Sequence, residues 1–295
     1  MIWLGWFLGM LVTYKWAIRW FHAQQLNQPI YEDSPKQHQK KMGTPTMGGV
    51  VLFIGFLLGM LVLRSWSFEI YWVVVVSGAF GAIGWIDDIL AITKKKNRGL
   101  SARVKFACQV MVAGIAVGWL CGVNSGVSLG LATVFIFLLV GTSNATNLTD
   151  GLDGLLSSTM LVSLMGVCWV FFQQQMHAEQ AMVLVMMGTI VCFLIFNWYP
   201  AKLFMGDAGS LMLGAFLAAS MIISGHWLML IGLGAIYVIE TLSVIIQVLW
   251  YKRTQQRVFL MAPLHHHFEL MGMTDRGVVA LFVVIQGILT WVQLI

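Results

Sequence analysis

The chain of 295 residues is 59% hydrophobic and only 10% charged, with a mean hydropathy of +0.84. A soluble domain of this length does not need so much apolar surface, so the composition excludes a water-soluble fold and predicts an all-α polytopic membrane protein. The four cysteines fall within apolar runs without metal-ligand spacing, which indicates small core side chains. In such a protein the net charge of +5 mainly reports membrane topology, and we expect no nucleic-acid partner.

Ten apolar windows of about 17–24 residues are long enough to cross a bilayer. They are residues 3–21, 47–63, 70–86, 104–122, 129–146, 155–172, 180–196, 208–224, 227–250 and 277–295. Every second connection holds nearly all of the charges, histidines and prolines. Of the 17 Lys and Arg residues only Arg64 falls in a sparse connection, so the positive-inside rule puts the rich connections in the cytoplasm and both termini outside. We expect one transmembrane domain over residues 1–295, without a cleaved signal.

Five polar segments lie in the charge-rich connections. They are residues 31–49, 84–105, 147–154, 197–210 and 261–269. In the first segment, basic residues lead into a Gly/Thr/Pro turn whose backbone N–H and hydroxyl groups could bind an anion. A topological charge cluster followed by a helix-starting turn explains that segment equally well. The shared membrane face of all five segments favours a functional site over plain interfacial turns.

Three of these segments carry aspartates that are candidate site residues. Asp87 and Asp88 are adjacent and would project about 100° apart on a helix, which suits metal binding or a base with a charged neighbour. They could also merely cap the end of a span. Asp150 and Asp153 are three residues apart and would share a face if their segment is helical. Asp207 stands at the start of the eighth window with glycines on both sides; it could be only an N-cap, but the glycines would let backbone or a ligand approach closely.

The remaining features are a histidine run, an aromatic residue and a lone acid. The consecutive residues His265–His267 cannot all face one metal from a single helix, so hydrogen bonding to phosphate oxygens is favoured over a zinc site. Phe204 could stack on a base, although loop aromatics usually pack at the membrane interface. Glu240 is the only acid deep within a window, and we interpret it as a structural hydrogen-bond partner of a neighbouring helix.

Several carboxylates beside phosphate-binding elements imply a divalent cation, and oxygen ligands of this kind suit Mg²⁺. The predicted chemistry is phosphoryl transfer at the cytoplasmic surface, with one substrate arriving from the lipid. A transporter or channel would instead place polar residues near the middle of the bilayer. Here the polar groups cluster at one face and the middle is nearly free of them apart from Glu240, so the transporter hypothesis is disfavoured.

Five motifs resemble those of the phospho-N-acetylmuramoyl-pentapeptide-transferase family. They are Gly43-Thr-Pro-Thr-Met-Gly-Gly49, Asp87-Asp88, Asn147-Leu-Thr-Asp-Gly-Leu-Asp-Gly154, the segment 196–210 with Phe-Met-Gly-Asp-Ala-Gly-Ser, and Met261-Ala-Pro-Leu-His-His-His-Phe-Glu269. The resemblance covers nearly the whole chain in order and spacing. The wider polyprenyl-phosphate sugar-1-phosphate transferases share the acidic motifs but not the histidine motif. A related polyprenyl-phosphate N-acetylhexosamine-1-phosphate transferase is the alternative.

This resemblance implies ten transmembrane helices in the bacterial inner membrane, in agreement with the count from the windows. It implies that UDP-N-acetylmuramoyl-pentapeptide and undecaprenyl phosphate react with Mg²⁺ to give lipid I and UMP in peptidoglycan synthesis. Membrane lipid is an expected partner, and a homodimer is left open. The residues do not decide between direct attack and a covalent aspartyl-phosphate, and we favour direct attack because a phosphate monoester is already a nucleophile.

The motifs also imply roles for individual residues. Asp87 and Asp88 would lie beside the lipid phosphate, with Asp87 as the base, and Asp207 with Asn147 would hold Mg²⁺. The substrate-binding set is Lys41, Thr46, Lys105, Asp150, Gly151, Leu152, Asp153, Asn197 and Phe204, with Phe204 stacked on uracil. The catalytic set is completed by His265, His266 and His267, which would orient phosphate or sugar groups.

The chain departs from the family pattern at one charged position. The first acidic motif of the family continues Asp-Asp-x-x-Lys, and Ala91 stands here at the lysine position. We expect Lys94 or Lys105 to neutralise a phosphate in its place, or the activity to be reduced. Ser34 also replaces the usual glycine before Pro35.

Overall fold

The computed structural model describes residues 2–27, 43–93, 99–123 and 126–295. These ranges fold into α-helices without a β-strand, which confirms the predicted all-α class. The helices are α1 Ile2–Ala23, α2 Gly48–Leu63, α3 Phe68–Thr93, α4 Ala102–Val123, α5 Leu129–Thr149, α6 Leu155–Gln173, α7 His177–Asn197, α8 Gly206–Ile223, α9 Leu230–Leu233, α10 Ala235–Thr254, α11 Leu264–Leu270 and α12 Asp275–Leu294. All four cysteines are free, as expected.

In the described ranges, eight helices are long and apolar enough to cross a membrane: α3 to α8, α10 and α12. Helices suit this setting because they satisfy their own backbone hydrogen bonds where water is absent. The apolar α2 has only 16 residues. In α1, Lys15 and Arg19 lower the apolar character of the second half. Each predicted window therefore contains a helix, and length and composition support a span for eight of them.

Helix α8 lies at the centre of the bundle. Every residue from Ala208 to Ile222 is buried, and the helix packs against α2, α3, α5 and α6. Small residues permit this close packing, since a Cβ added to Gly49 of α2 would overlap the backbone of Gly209. The first turn of α8, which carries Asp207, is consequently enclosed by several helices.

The predicted ninth window, residues 227–250, is not one continuous helix. Gly234 separates α9 from α10. Gln286 of α12 meets the backbone groups that this break frees: it accepts the N–H of Ile236 at 3.0 Å and donates to the carbonyl oxygen of Leu233 at 2.8 Å. The sequence could not reveal the break because the compensating side chain lies some fifty residues away.

Two helices extend beyond their windows into the polar segments. Helix α3 continues to Thr93 and α5 to Thr149, so the first acid pair and Asn147 lie within helices. Residues 150–154 form a turn. The condition for Asp150 and Asp153 to share a helical face is therefore not met.

Candidate active site

Polar side chains from four helix ends meet at one end of the bundle. Asp87 and Asp88 lie in the last two turns of α3, Lys105 in the first turn of α4, Asn147 in the last turn of α5 and Asp207 in the first turn of α8. We call these five residues the acidic cluster. Their contacts join segments of sequence that are up to about 120 residues apart.

Lys105 joins two carboxylates of the acidic cluster. Its Nζ donates to Oδ2 of Asp207 and lies 3.4 Å from Oδ2 of Asp87. The other oxygen of Asp87 accepts the N–H of Leu100 at 2.5 Å. The ammonium offsets the repulsion between the two acids. Of the two lysines expected to substitute for a lysine at position 91, Lys105 contacts both acids, and Lys94 lies outside the described residues.

Asp88 anchors the start of the central helix. Its Oδ1 accepts the N–H of Asp207 at 3.0 Å, and its Oδ2 accepts the N–H of Ala208 at 3.1 Å. A carboxylate is favoured there because the N–H groups at a helix start lack partners within the helix. Gly84 makes room, since a Cβ at that position would overlap the backbone of Asp207. Asp88 thus caps α8, and this contact positions Asp207.

The predicted metal pair is in direct contact. Asn147 donates from Nδ2 to Oδ1 of Asp207 at 2.8 Å and to Oγ of Ser210 at 2.9 Å. Within the described ranges no group of three or more His, Cys, Asp or Glu side chains forms a metal site. Mg²⁺ commonly takes one or two carboxylates and completes its shell with water and substrate phosphates. The oxygen-rich donors around Asp207 fit such a cation better than they fit zinc.

The turn after α5 carries a perturbed acid. Asp150 is half-buried, and burial, followed by the negative charges of Asp207, Asp88 and Asp153, raises its pKa to about 8. At neutral pH its carboxyl group is therefore mostly protonated and can donate a hydrogen bond. Leu152 of the same turn points into the core.

Other members of the predicted nucleoside site hold the loops together. Asp153 accepts the N–H of Ala201 at 3.0 Å. Buried Asn197 accepts the N–H of Gly154 at 3.0 Å and donates to the carbonyl oxygen of Leu203 at 3.0 Å. Both side chains therefore tie the turn at 150–154 to the segment before α8.

Thr46 and Phe204 lie where the first and fourth polar segments meet. Thr46 is buried, and its hydroxyl lies beside Gly206. The half-buried Phe204 donates its N–H to Pro45 at 2.9 Å, and its carbonyl oxygen accepts the N–H of Gly48 at 2.9 Å. This backbone ladder joins the Gly/Thr/Pro turn to the start of α8. Lys41 lies outside the described residues.

The three histidines have three different partners. His265 lies with Nδ1 3.0 Å from Oε2 of Glu240. His266 lies with Nδ1 2.6 Å from Oε2 of Glu269, and Nδ1 of His267 accepts a backbone N–H at 3.1 Å. Glu240 is thus a structural hydrogen-bond partner, as the sequence indicated, and its partner is the histidine motif. The sequence signal for a structural role of Glu240 was its position as the only acid deep within a predicted span.

An apolar cavity of about 340 Å³ lies beside the acidic cluster. Its lining residues Met47 and Ile89 directly follow Thr46 and Asp88 in the chain. The other lining residues are Trp20, Phe21, Leu26, Val50, Trp85, Ile92 and Thr93. Polar and apolar surfaces thus adjoin at this end of the bundle.

Comparison with known proteins identifies the family. Residues 70–225, which include the acidic cluster, match Glycosyl transferase family 4. The chain is 38% identical to the phospho-N-acetylmuramoyl-pentapeptide-transferase of Geobacillus kaustophilus (strain HTA426), over 94% of this chain and 90% of that protein. It is 39% identical to the enzyme of the same name from Anoxybacillus flavithermus (strain DSM 21510 / WK1), over 88% and 85%. The chain therefore belongs to the phospho-N-acetylmuramoyl-pentapeptide-transferase family.

Proposed function

We propose that this protein transfers phospho-N-acetylmuramoyl-pentapeptide from UDP to undecaprenyl phosphate, giving lipid I and UMP, with Mg²⁺. Family membership supports the reaction. The acidic cluster is the observation that carries the site, because Lys105 and two carboxylates meet where the central helix begins. A buried group of carboxylates with one ammonium suits a reaction that handles phosphates and a divalent cation.

The proposal includes ten crossings, one domain over residues 1–295, and termini outside the cytoplasm. Helix ends from the charge-rich connections meet at the acidic cluster, as an alternating topology requires. With only Arg64 of the 17 Lys and Arg residues in a sparse connection, the positive-inside rule supports a site on the cytoplasmic face of the bacterial inner membrane. The nucleotide donor would reach that face from water and the lipid acceptor from the bilayer.

Each residue of the acidic cluster has a proposed role. Asp207 would hold Mg²⁺, and Asn147 would keep its carboxylate oriented; a bound Mg²⁺ would supply positive charge for the diphosphate and the leaving UMP. Asp87 would take the proton of the lipid phosphate. The freed phosphate oxygen would then attack the β-phosphorus of the UDP-linked donor as the bond to UMP breaks. Lys105 lies where it can neutralise a phosphate oxygen. Asp88 acts indirectly, since both of its oxygens bind backbone N–H groups.

The nucleoside would lie between the turn at 150–154 and Phe204. The half-buried Phe204 would stack its ring on uracil. The raised pKa of Asp150 leaves it protonated at neutral pH, so it can donate to a carbonyl or hydroxyl oxygen of the nucleoside. The wall of this pocket would be formed by Thr46, Gly151, Leu152, Asp153 and Asn197. The apolar cavity lined by Met47 and Ile89 is the observation that supports binding of a lipid chain beside the acidic cluster.

UMP release distinguishes this function from its alternative. Purified protein with undecaprenyl phosphate and Mg²⁺ is given either UDP-N-acetylmuramoyl-pentapeptide or UDP-N-acetylglucosamine, and UMP is measured over time. We expect UMP only from the first donor and none after chelation of Mg²⁺. Release from the second donor alone would assign the chain to the N-acetylhexosamine-1-phosphate transferases.

Gly206 tests the role of Asp88. It has φ +73°, and a Cβ there would lie 2.6 Å from Oδ2 of Asp88. Left-handed backbone costs a non-glycine residue about 1–2 kcal/mol, and displacing a site by an ångström can cost about a hundredfold in rate. Gly206→Ala should therefore lower UMP release by about a hundredfold. The control is Gly118→Ala in α4, where an added Cβ would meet no atom within 4 Å, and this variant should retain full activity. Equal rates for the two variants would refute the role of the Asp88 cap in the reaction.

A further inference from the structure

Glu240 holds His265 by two contacts. The carboxylate is fully buried in α10; its Oε1 accepts the backbone N–H of His265 at 3.2 Å, and its Oε2 lies 3.0 Å from Nδ1. A buried acid within a membrane span is costly unless it is paired, so this contact explains why Glu240 is tolerated. The pair joins α10 to the histidine motif.

This contact decides which ring nitrogen carries the proton. A carboxylate only accepts hydrogen bonds, so Nδ1 of His265 must be the protonated nitrogen. Burial lowers the pKa of His265, against the opposing effect of Glu240, and therefore favours the neutral ring. A neutral ring protonated at Nδ1 has a lone pair at Nε2. That nitrogen can accept a hydrogen bond and would repel a phosphate oxygen.

The lone pair faces the turn after α5. Nε2 of His265 is buried and has no hydrogen-bond partner among the described residues. A Cβ added to Gly151 would overlap it, so the ring packs directly against that glycine. Gly151 adjoins Asp150, which belongs to the proposed nucleoside pocket. An unpaired buried acceptor is unfavourable, and a donor group that reached it would offset this cost.

We infer that Glu240 is a positioning residue that fixes His265 as a hydrogen-bond acceptor beside the turn at 150–154. The inference rests on the proposed function. The matching ligand group is a hydroxyl or amide N–H of the nucleotide-sugar substrate. Of the two kinds of group that the motif implied for the histidines, phosphate or sugar, an acceptor at Nε2 of His265 suits a sugar hydroxyl and not a phosphate oxygen.

Glu240→Gln inverts this arrangement with little change in size. Its amide oxygen can still accept the backbone N–H of His265, but its NH₂ group then faces Nδ1 and moves the ring proton to Nε2. We expect UMP release to fall about a hundredfold or more. In a His265→Ala background the same change should have almost no further effect, because its target is gone. Ser243→Ala, a buried change in the same helix, should stay within about threefold of the wild-type rate.

A second measurement separates tautomer control from simple support of the fold. In protein labelled with ¹⁵N-histidine, the His265 signals are assigned by their loss in His265→Ala. The wild type should show an unprotonated Nε2, and Glu240→Gln an unprotonated Nδ1. A protonated Nε2 in the wild type would overturn the inference, as would a normal rate for Glu240→Gln. Because the spectra need no substrate, they test it even if the UMP assay refutes the proposed function.

Discussion

Replacing Asp207 by asparagine should lower UMP release by at least about a thousandfold. The carboxylate receives Lys105 at one oxygen and Asn147 at the other. Asparagine keeps the size but loses the charge, so Lys105 loses its ion-pair partner and the proposed metal position loses its strongest ligand. Asp88 binds the backbone of residue 207, which leaves the start of α8 in place.

The measurement compares the initial rates of UMP release by purified variants at equal amounts of membrane-inserted protein. Thermal unfolding of Asp207→Asn should resemble that of the wild type, because the caps and packing of α8 are unchanged. The matched control is Glu69→Gln, an acid in the first turn of α3 and so at the opposite end of that helix from Asp88. It should remain within about threefold of the wild-type rate. If Asp207→Asn stays within tenfold of wild type, Asp207 does not belong to the catalytic machinery.

The sequence predicted where the polar groups gather but not which partners they bind. Window length and charge alternation placed helices at all ten positions, because the bilayer imposes a length and a polarity that single residues report directly. Asp88 looked like one half of an acid pair, yet its oxygens bind the backbone of a helix that begins about 120 residues later. Residue type does not identify such a partner, since any helix start offers the same donors.

The same limit applies to Asn197 and Glu240. Asn197 was assigned to the uridine site by its motif, and the sequence did not reveal that its amide bridges two loops there. Glu240 was recognised as structural because a lone acid in a span needs a partner, but the sequence offered no means to choose the histidine motif. The break at Gly234 was missed for a related reason, since Gln286 supplies its hydrogen bonds from a distant helix.

Lys105→Met should lower UMP release by about a hundredfold or more. Without the ammonium, Asp87 and Asp207 face each other with no cation between them, and their repulsion disturbs the proposed base and metal ligand together. Methionine keeps the length and packing of the lysine stem, which limits the change to the charge. A Lys105→Arg variant should recover part of the loss, since it restores the charge with a different geometry.

Ala91→Lys tests whether the ammonium or its position matters. Ala91 lies four residues after Asp87 on α3, so a lysine there shares a helical face with that carboxylate. In the Lys105→Met background it should raise the rate at least about tenfold, and alone it should leave activity near the wild type. Ala91→Met in the same background should give no rescue. If Ala91→Lys alone abolishes turnover, the site is built around alanine at this position. If rescue occurs, the reaction requires one cation between the two acids, which either α3 or α4 can supply.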